Sequence, residues 1–246
     1  MSAKEQNAFP SFPRIMIALL TNDDGIDADG LSALRRVALS IFDEVWVVAP
    51  ISQMSQIGHR VTTDTPIGFE PRGERRYAVS GTPADCTRIA LAHLMPTRPD
   101  WVLSGINHGG NLGRHDFAIS GTVAAVREAA FAGIRGVAVS HFIRRGLTLD
   151  WERASGYAGA VLQGLLDESL DEGHFWNVNL PHLAAGEREP LIVHCGQERH
   201  SLHVNYEERE PGRLFYSGDY HDRPRVSGSD VDVCFGGDIA VTVASI

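Results

Sequence analysis

Residues Ile15–Gly30 read IMIALLTNDDGIDADG. A short apolar run rich in Ile and Leu ends at Thr21-Asn22, and two adjacent carboxylates, Asp23 and Asp24, follow before Gly25. A run of this length predicts a strand buried on both faces, as in a parallel sheet. In open α/β sheets the ligand crevice lies at the carboxyl ends of the strands, so the acidic pair falls where chemistry is concentrated. Neighbouring carboxylates repel unless a cation or proton lies between them. Asp-Asp-Gly also suits a turn and helix start, and at this point both readings stay open.

Working outward, Asp29-Gly30 opens a helix-spaced series of Leu31, Leu34, Val37, Ala38 and Ile41, with acids suited to a helix N-terminus. Val45–Ala49, stopped by Pro50, predicts a second buried strand, with a polar loop over 51–60 at its carboxyl end. Val61, Thr62, Thr63 and Thr65 predict extended chain after it. Pro83 suits the first turn of a helix capped by Thr82 and running to Leu94. Trp101–Leu103 predicts a strand leading into SGINHGGNLG at 104–113, whose four glycines mark a loop with sharp turns or close approaches.

Ser120-Gly121-Thr122 then caps a helix over 123–132, Val137–Ser140 is a core strand, and Asp150 caps a helix from Trp151 to Leu166. Phe175–Pro181 is again a strand. Beyond about residue 185 charged residues and glycines increase and the apolar runs shorten to 191–193, 214–216 and 239–243. That texture predicts a β-rich elaboration with hairpins projecting from the core. Alternating strands and helices imply right-handed βαβ units and a mostly parallel sheet. The expected architecture is α/β, a Rossmann-like three-layer α/β/α sandwich. Residues 15–246 form one domain in this reading, after a loose N-terminal tail over 1–14.

Composition narrows the partners. The 246-residue chain carries a formal net charge of −9, which argues against binding nucleic-acid polymers or membrane surfaces, since both need a basic footprint. A small phosphorylated ligand stays compatible, because local geometry and a bound metal overrule net charge. Cys86, Cys195 and Cys234 are odd in number and lack CxxC spacing, the pattern of reduced thiols in a cytoplasmic protein. No secretory signal or membrane-spanning length of apolar sequence is present.

Several chemistries fail on their own requirements. Gly25–Ser32, GIDADGLS, has the glycine spacing of GxxxxGK[ST], but Leu31 stands where the phosphate-binding lysine belongs and Asp27 and Asp29 put negative charge in the cradle. The dinucleotide fingerprint GxGxxG is missing, as is the serine elbow GxSxG. His194, His200 and His203 have no accompanying HExxH or CxxC and read as structural or surface residues, not zinc ligands. What remains is a set of polar loops at successive strand ends: Asn22-Asp23-Asp24, Ser55, Ser80–Thr82, Ser104–Asn107 and Ser120–Thr122. Asp, Asn and Ser oxygens are hard ligands that suit Mg²⁺ or Mn²⁺. The glycine-rich loop and the helix start at Ser120 offer backbone N–H groups to a phosphate. A metal facing a phosphate in one crevice is an arrangement for phosphoester hydrolysis.

The ordered motifs LLTNDDGIDADGLSAL, VVAP with Ser55, SGTPADC, SGINHGGNLG and SGTVAAVREA span about residues 15–140. Together they resemble the SurE family of survival proteins, which are metal-dependent 5′-nucleotidases; NVNLP at 177–181 and SDVDVCFGGDIAVTV near the end are further landmarks. The resemblance implies one divalent cation, Mg²⁺ or Mn²⁺, held by Asp23, Asp24, Ser55 and Asn107. It also implies a phosphate near Asn22, Gly109, Asn111, Ser120, Gly121 and Thr122, with Thr82 and Asp85 beside the site. The expected reaction is hydrolysis of nucleoside 5′-monophosphates, with Asp23 or Asp24 handling protons. C-terminal elements of the family often build a homodimer or homotetramer by exchange, and this chain stops at Ile246.

Two internal departures bear on substrate recognition. The loop after Ala49-Pro50 reads ISQMSQIG, keeping the serine of the family's basic pattern, which resembles DRNRSGAS, but neither of its arginines. Arginine is well suited to gripping phosphate. Between Gly113 and Ser120 the chain is one residue longer, with Ile119 where a tyrosine is common. A haloacid-dehalogenase-like mechanism would need DxD at the strand end, which Asp23-Asp24 does not supply. The alternative of another class is a nucleotide-binding regulatory protein with weak or no turnover, supported by the altered 51–58 loop.

Overall fold

The computed structural model describes residues 14–200 and 202–246; all but the last residue of the expected N-terminal tail lies outside them. The chain runs β1 (Ile17–Thr21), α1 (Asp29–Leu39), β2 (Glu44–Pro50), β3 (Phe69–Gly73), β4 (Arg76–Val79) and α2 (Pro83–Ile89), the last extended by a π-helical turn over Ala90–Leu94. It continues through β5 (Trp101–His108), α3 (Gly113–Ile119), α4 (Gly121–Phe131), β6 (Arg135–His141), α5 (Trp151–Leu165) and β7 (His174–Leu180). Then come β8 (Ile192–His194), β9 (Tyr206–Glu210), β10 (Arg213–Tyr216), α6 (Asp230–Phe235) and β11 (Ile239–Ser245).

Nine strands form one sheet in the order β3-β4-β2-β1-β5-β6-β7-β11-β8. From β4 to β7 every neighbouring pair is parallel, while β3 and β11 each run antiparallel to their inner neighbours. The expected α/β sandwich is what forms. Period-2 alternation sorts each strand between two apolar layers. Ala18 and Leu20 of β1 join Leu31, Leu34, Val161 and Leu162 of α1 and α5. Ile17 and Leu19 join Cys86, Ala90 and Ala129 on the opposite face. A wholly buried leucine such as Leu19 or Leu20 contributes about 2 kcal/mol by its transfer from water. Helix α1 approaches the sheet closely at Gly30, where an added Cβ would lie 2.0 Å from the Ile106 carbonyl oxygen.

The strand order reverses at β1. Successive strands β1, β2 and β4 build outward on one side, and β5 returns to pair with β1 on the other, with Thr21 opposite Ser104. Ligand crevices form at such a switch point because the connections leaving the two strands diverge. Asn22–Asp24 and the end of β5 therefore meet there.

Three expectations change. The loop expected over 104–113 is shorter, since β5 runs on to His108 and Gly113 opens α3, whose Gly113 and Arg114 amides are held by Asp230 and the Glu198 carbonyl. Past residue 185, among the described residues, only β9–β10 forms a separate hairpin; β8 and β11 extend the main sheet, so apolar Ile239–Val241 is core instead of projection. No strand forms over Val61–Thr65, and the β3 ladder starts at Phe69. Among the described residues no helix is long and apolar enough to cross a membrane.

Candidate active site at the sheet switch point

A cleft of about 440 Å³ opens at the carboxyl ends of β1 and β5, lined in part by Asp23, Ser55, Asn107, Gly109, Asn111 and Ser120. Six of the residues singled out from sequence thus meet on one cavity, from four loops. Asp23 is 4% exposed. Its Oδ1 accepts the Thr122 hydroxyl at 2.6 Å, and the Thr122 backbone amide also supports the carboxylate. Burial raises its pKa to about 6, with the Thr122 hydroxyl acting against that and the Asp24 charge adding to it. Among the described residues no side chain donates to Asp23 Oδ2, and Asp23 lines the cleft.

Asp24 is half-buried and its Oδ2 accepts the His108 amide at 2.9 Å, tying the β1 turn to the end of β5. The Asn107 side-chain nitrogen donates to the Gly109 carbonyl at 2.6 Å, which leaves its oxygen available. Asn22 is fully buried and donates to the Gly25 carbonyl at 2.9 Å, closing the turn under the acidic pair.

Ser55 arrives on the 51–60 loop, held where it crosses β1 by a 2.7 Å bond from the Met54 amide to the Asp23 carbonyl. Farther along, the Gly58 amide donates to the Ile119 carbonyl at 2.8 Å, and His59 meets Glu128 at 2.8 Å. Thr82 and Asp85 do not line the cleft. They form a reciprocal capping box at α2. Thr82 also donates to the Arg60 carbonyl at 2.6 Å, and Asp85 accepts the Thr62 amide and hydroxyl at 2.9 and 2.8 Å. Their place is behind the loop that presents Ser55.

Helix α4 begins against Asp23. Ser120 caps it, accepting the Val123 amide at 3.1 Å. A Cβ on Gly121 would stand 2.9 Å from the Asp23 Cβ and 3.1 Å from its Oδ2, so a side chain there is incompatible with the carboxylate's position. Thr122 is fully buried behind Asp23, off the cleft wall.

The glycine-rich loop is fixed from beneath. The Asn111 amide donates to Asn179 Oδ1 at 2.8 Å, and the Asn111 carbonyl accepts the Asn177 and Asn179 side-chain nitrogens at 3.1 and 3.2 Å. The Asn111 side chain donates to the Ser140 hydroxyl at 2.7 Å. Alternate residues of a strand share a face, which is why NVN carries both asparagines to one loop.

Ile119 of α3, noted from sequence where a tyrosine is common, also lines the cleft, and further cleft residues were not singled out from sequence: Asp116 of α3, Ile143 and Arg145, and Tyr220 and His221. They come from segments whose sequence carries no motif, brought in by tertiary contacts. Tyr220 donates to the Gly110 carbonyl at 3.3 Å, His221 Nε2 meets the Ile143 carbonyl at 3.0 Å, and buried Arg223 pairs with Asp116 at 2.8 Å.

The donor set fits a hard divalent cation. Two carboxylates, a hydroxyl and an amide oxygen are oxygen ligands of the kind Mg²⁺ and Mn²⁺ take, and the Asp23 carboxylate beside Asp24 is a place where positive charge is favoured. Among the described residues no group of three or more His, Cys, Asp or Glu side chains is placed to hold a metal. Accordingly, His194 and His200 are engaged separately, with Glu168 at 3.5 Å and Glu198 at 2.8 Å.

Comparison with known proteins agrees with this fold. The family model described as survival protein SurE matches residues 18–202. A chain from Synechocystis sp. is 51% identical over 224 residues, covering 91% of this chain and 97% of its own length. The 5′-nucleotidase SurE of Rhodospirillum rubrum is 37% identical, covering 91% of this chain and 88% of that one. Among solved structures, the SurE protein from Aquifex aeolicus superposes with a TM-score of 0.79 at 32% identity, over 93% of both chains.

Proposed function

Because the chain belongs to the survival protein SurE family, we propose that it is a metal-dependent 5′-nucleotidase hydrolysing nucleoside 5′-monophosphates to nucleoside and phosphate. The observation that carries this reading is the cleft at the β1/β5 switch point, which Asp23 lines together with Ser55 and Asn107, its Oδ2 receiving no side-chain bond among the described residues. Relatives named 5′-nucleotidase support the substrate class. Asp23, Asp24, Ser55 and Asn107 are the ligands of the cation in this reading. When bound, Mg²⁺ or Mn²⁺ polarises a phosphoryl oxygen and lowers the pKa of a bound water.

The chain's own groups bind and orient the ester. In this reading the Gly110 amide of the glycine-rich loop and the Ser120-Gly121 start of α4 take phosphate oxygens, since the first amides of a helix lack intrahelical partners. The Gly109 and Asn111 amides of that loop are held by the His141 carbonyl and Asn179. The Asn177–Asn179 pair keeps that loop rigid, so its amides need not reorganise during the reaction. Asp23 or Asp24 takes the proton of an attacking water in this reading; Asp23 lines the cleft, and Asp24 is tied to the His108 amide beside it. Residues 15–246 act as one unit. Unpaired Cys86, Cys195 and Cys234 support a reducing, cytoplasmic setting. Exposed Tyr206, Leu214 and Tyr216 on the β9–β10 hairpin support a homodimer or homotetramer, read out by sedimentation.

The test is phosphate release from a nucleotide panel with Mg²⁺, Mn²⁺ or EDTA, with Asp23→Asn alongside. Release that requires the cation and is lost in Asp23→Asn is expected. EDTA-insensitive hydrolysis would overturn the metal mechanism, and binding without release under any cation would favour the regulatory reading.

A further inference from the structure

The loop that presents Ser55 carries no Arg or Lys from Ile51 to Gly58, so the cleft needs another source of positive charge for an anionic substrate. Among the described residues only one guanidinium or ammonium lines it, that of Arg145. Arg223, close by, is 3% exposed and committed to Asp116. Arg145 is held differently. Its side chain is 70% exposed, and its guanidinium makes two parallel bonds, at 3.0 and 2.9 Å, to the two carboxylate oxygens of Asp219. Asp219 also accepts the His221 amide at 2.9 Å, anchoring the turn whose next residues, Tyr220 and His221, form part of the cleft wall.

The fork of an arginine matches phosphate as well as carboxylate. An exposed ion pair adds little net stability, so a substrate phosphate displaces Asp219 at little cost. Resting on the phosphatase reading above, we propose that Arg145 is a specificity-determining residue that leaves Asp219 to grip a phosphate oxygen of the bound nucleotide. Asp219 is then its competitor, holding the guanidinium at the cleft when no anion is present.

The competition makes the proposal separable from a structural role, because Arg145→Gln and Asp219→Asn break the same ion pair. Calorimetric titration with the non-hydrolysable 5′-phosphonate analogue of adenosine monophosphate in Mg²⁺, and with adenosine as the phosphate-free control, reads each variant. Arg145→Gln is expected to weaken phosphonate binding roughly tenfold or more, the scale of a hydrogen bond to a charged group, with Arg145→Lys intermediate. Asp219→Asn keeps an acceptor for the His221 amide and is expected to tighten phosphonate binding several-fold. Neither changes adenosine binding. In turnover assays the two variants move KM in opposite directions with kcat nearly constant. Equal effects of the same sign, no effect of either, or equal losses with adenosine would each overturn the proposal. Because the titration needs no turnover, phosphonate binding without hydrolysis of the natural ester would sink the phosphatase reading while still testing Arg145.

Discussion

Thr122 Oγ1 donates to Asp23 Oδ1 at 2.6 Å across 99 residues of sequence, joining the end of β1 to the first turn of α4. The bond fixes the carboxylate of a residue that lines the cleft. It also partly offsets the burial that raises the Asp23 pKa to about 6. Thr122→Val keeps the shape and removes the donor. The variant is expected to lose about 1–3 kcal/mol of stability, the usual penalty for stranding a buried acceptor. Urea unfolding measures it, and a loss below about 0.5 kcal/mol would show that the hydroxyl is dispensable.

Gly121→Ala tests the close approach from the other side. The added methyl meets the Asp23 Cβ at 2.9 Å and the Pro83 Cγ at 3.0 Å, and both residues are buried. Asp23 must then shift, and misplacement of a reacting group by about 1 Å costs about 100-fold in rate. Steady-state phosphate release, with circular dichroism to check folding, decides this. Wild-type kcat/KM would refute it.

Asn179 acts through Asn111. Asn179→Ala strands the buried Asn111 amide and weakens the hold on its carbonyl, so a stability loss of about 1–3 kcal/mol is expected. Hydrogen exchange at the Asn111 amide should accelerate in the folded protein. Combining it with Asn177→Ala in a double-mutant cycle should show coupling, because both side chains serve the same carbonyl.

His141 predicts a pH response of stability. Burial chiefly, with the neighbouring His182 adding to it, lowers its pKa to about 4. The unfolded chain binds a proton near pH 6.5 that the folded chain refuses until near pH 4. Stability from this group is therefore complete above about pH 6.5 and declines as pH falls toward 4, by at most about 3 kcal/mol. Urea midpoints at pH 7.5 and 5.0, compared between the native chain and His141→Phe, isolate the effect. An equal acid loss in both proteins would assign it elsewhere.

How legible all this was differs by element. Apolar runs at β1, β2, β5, β6 and β7, and helix spacing at α1 and α5, are local patterns, so the parallel sandwich could be read directly. Helix α3 could not, because its first amides are held by Asp230 and the Glu198 carbonyl from more than eighty residues away. The β8 and β11 strands looked like a projection because short apolar runs do not say which sheet edge they join.

The same division holds at the site. Residue types and order determined the acidic turn after β1, the polar loops that carry Ser55 and Asn107 and the capped start of α4, because strand ends and caps are written in adjacent residues. The family resemblance chose Ser55 and Asn107 within those loops. Only the tertiary structure decided which of these share a wall. It put Thr122 behind Asp23 and Thr82 and Asp85 behind the Ser55 loop, and it brought Arg145 and Tyr220 to the cleft. Those placements depend on hydrogen bonds and packing between segments far apart in the chain, whose partners no local pattern names.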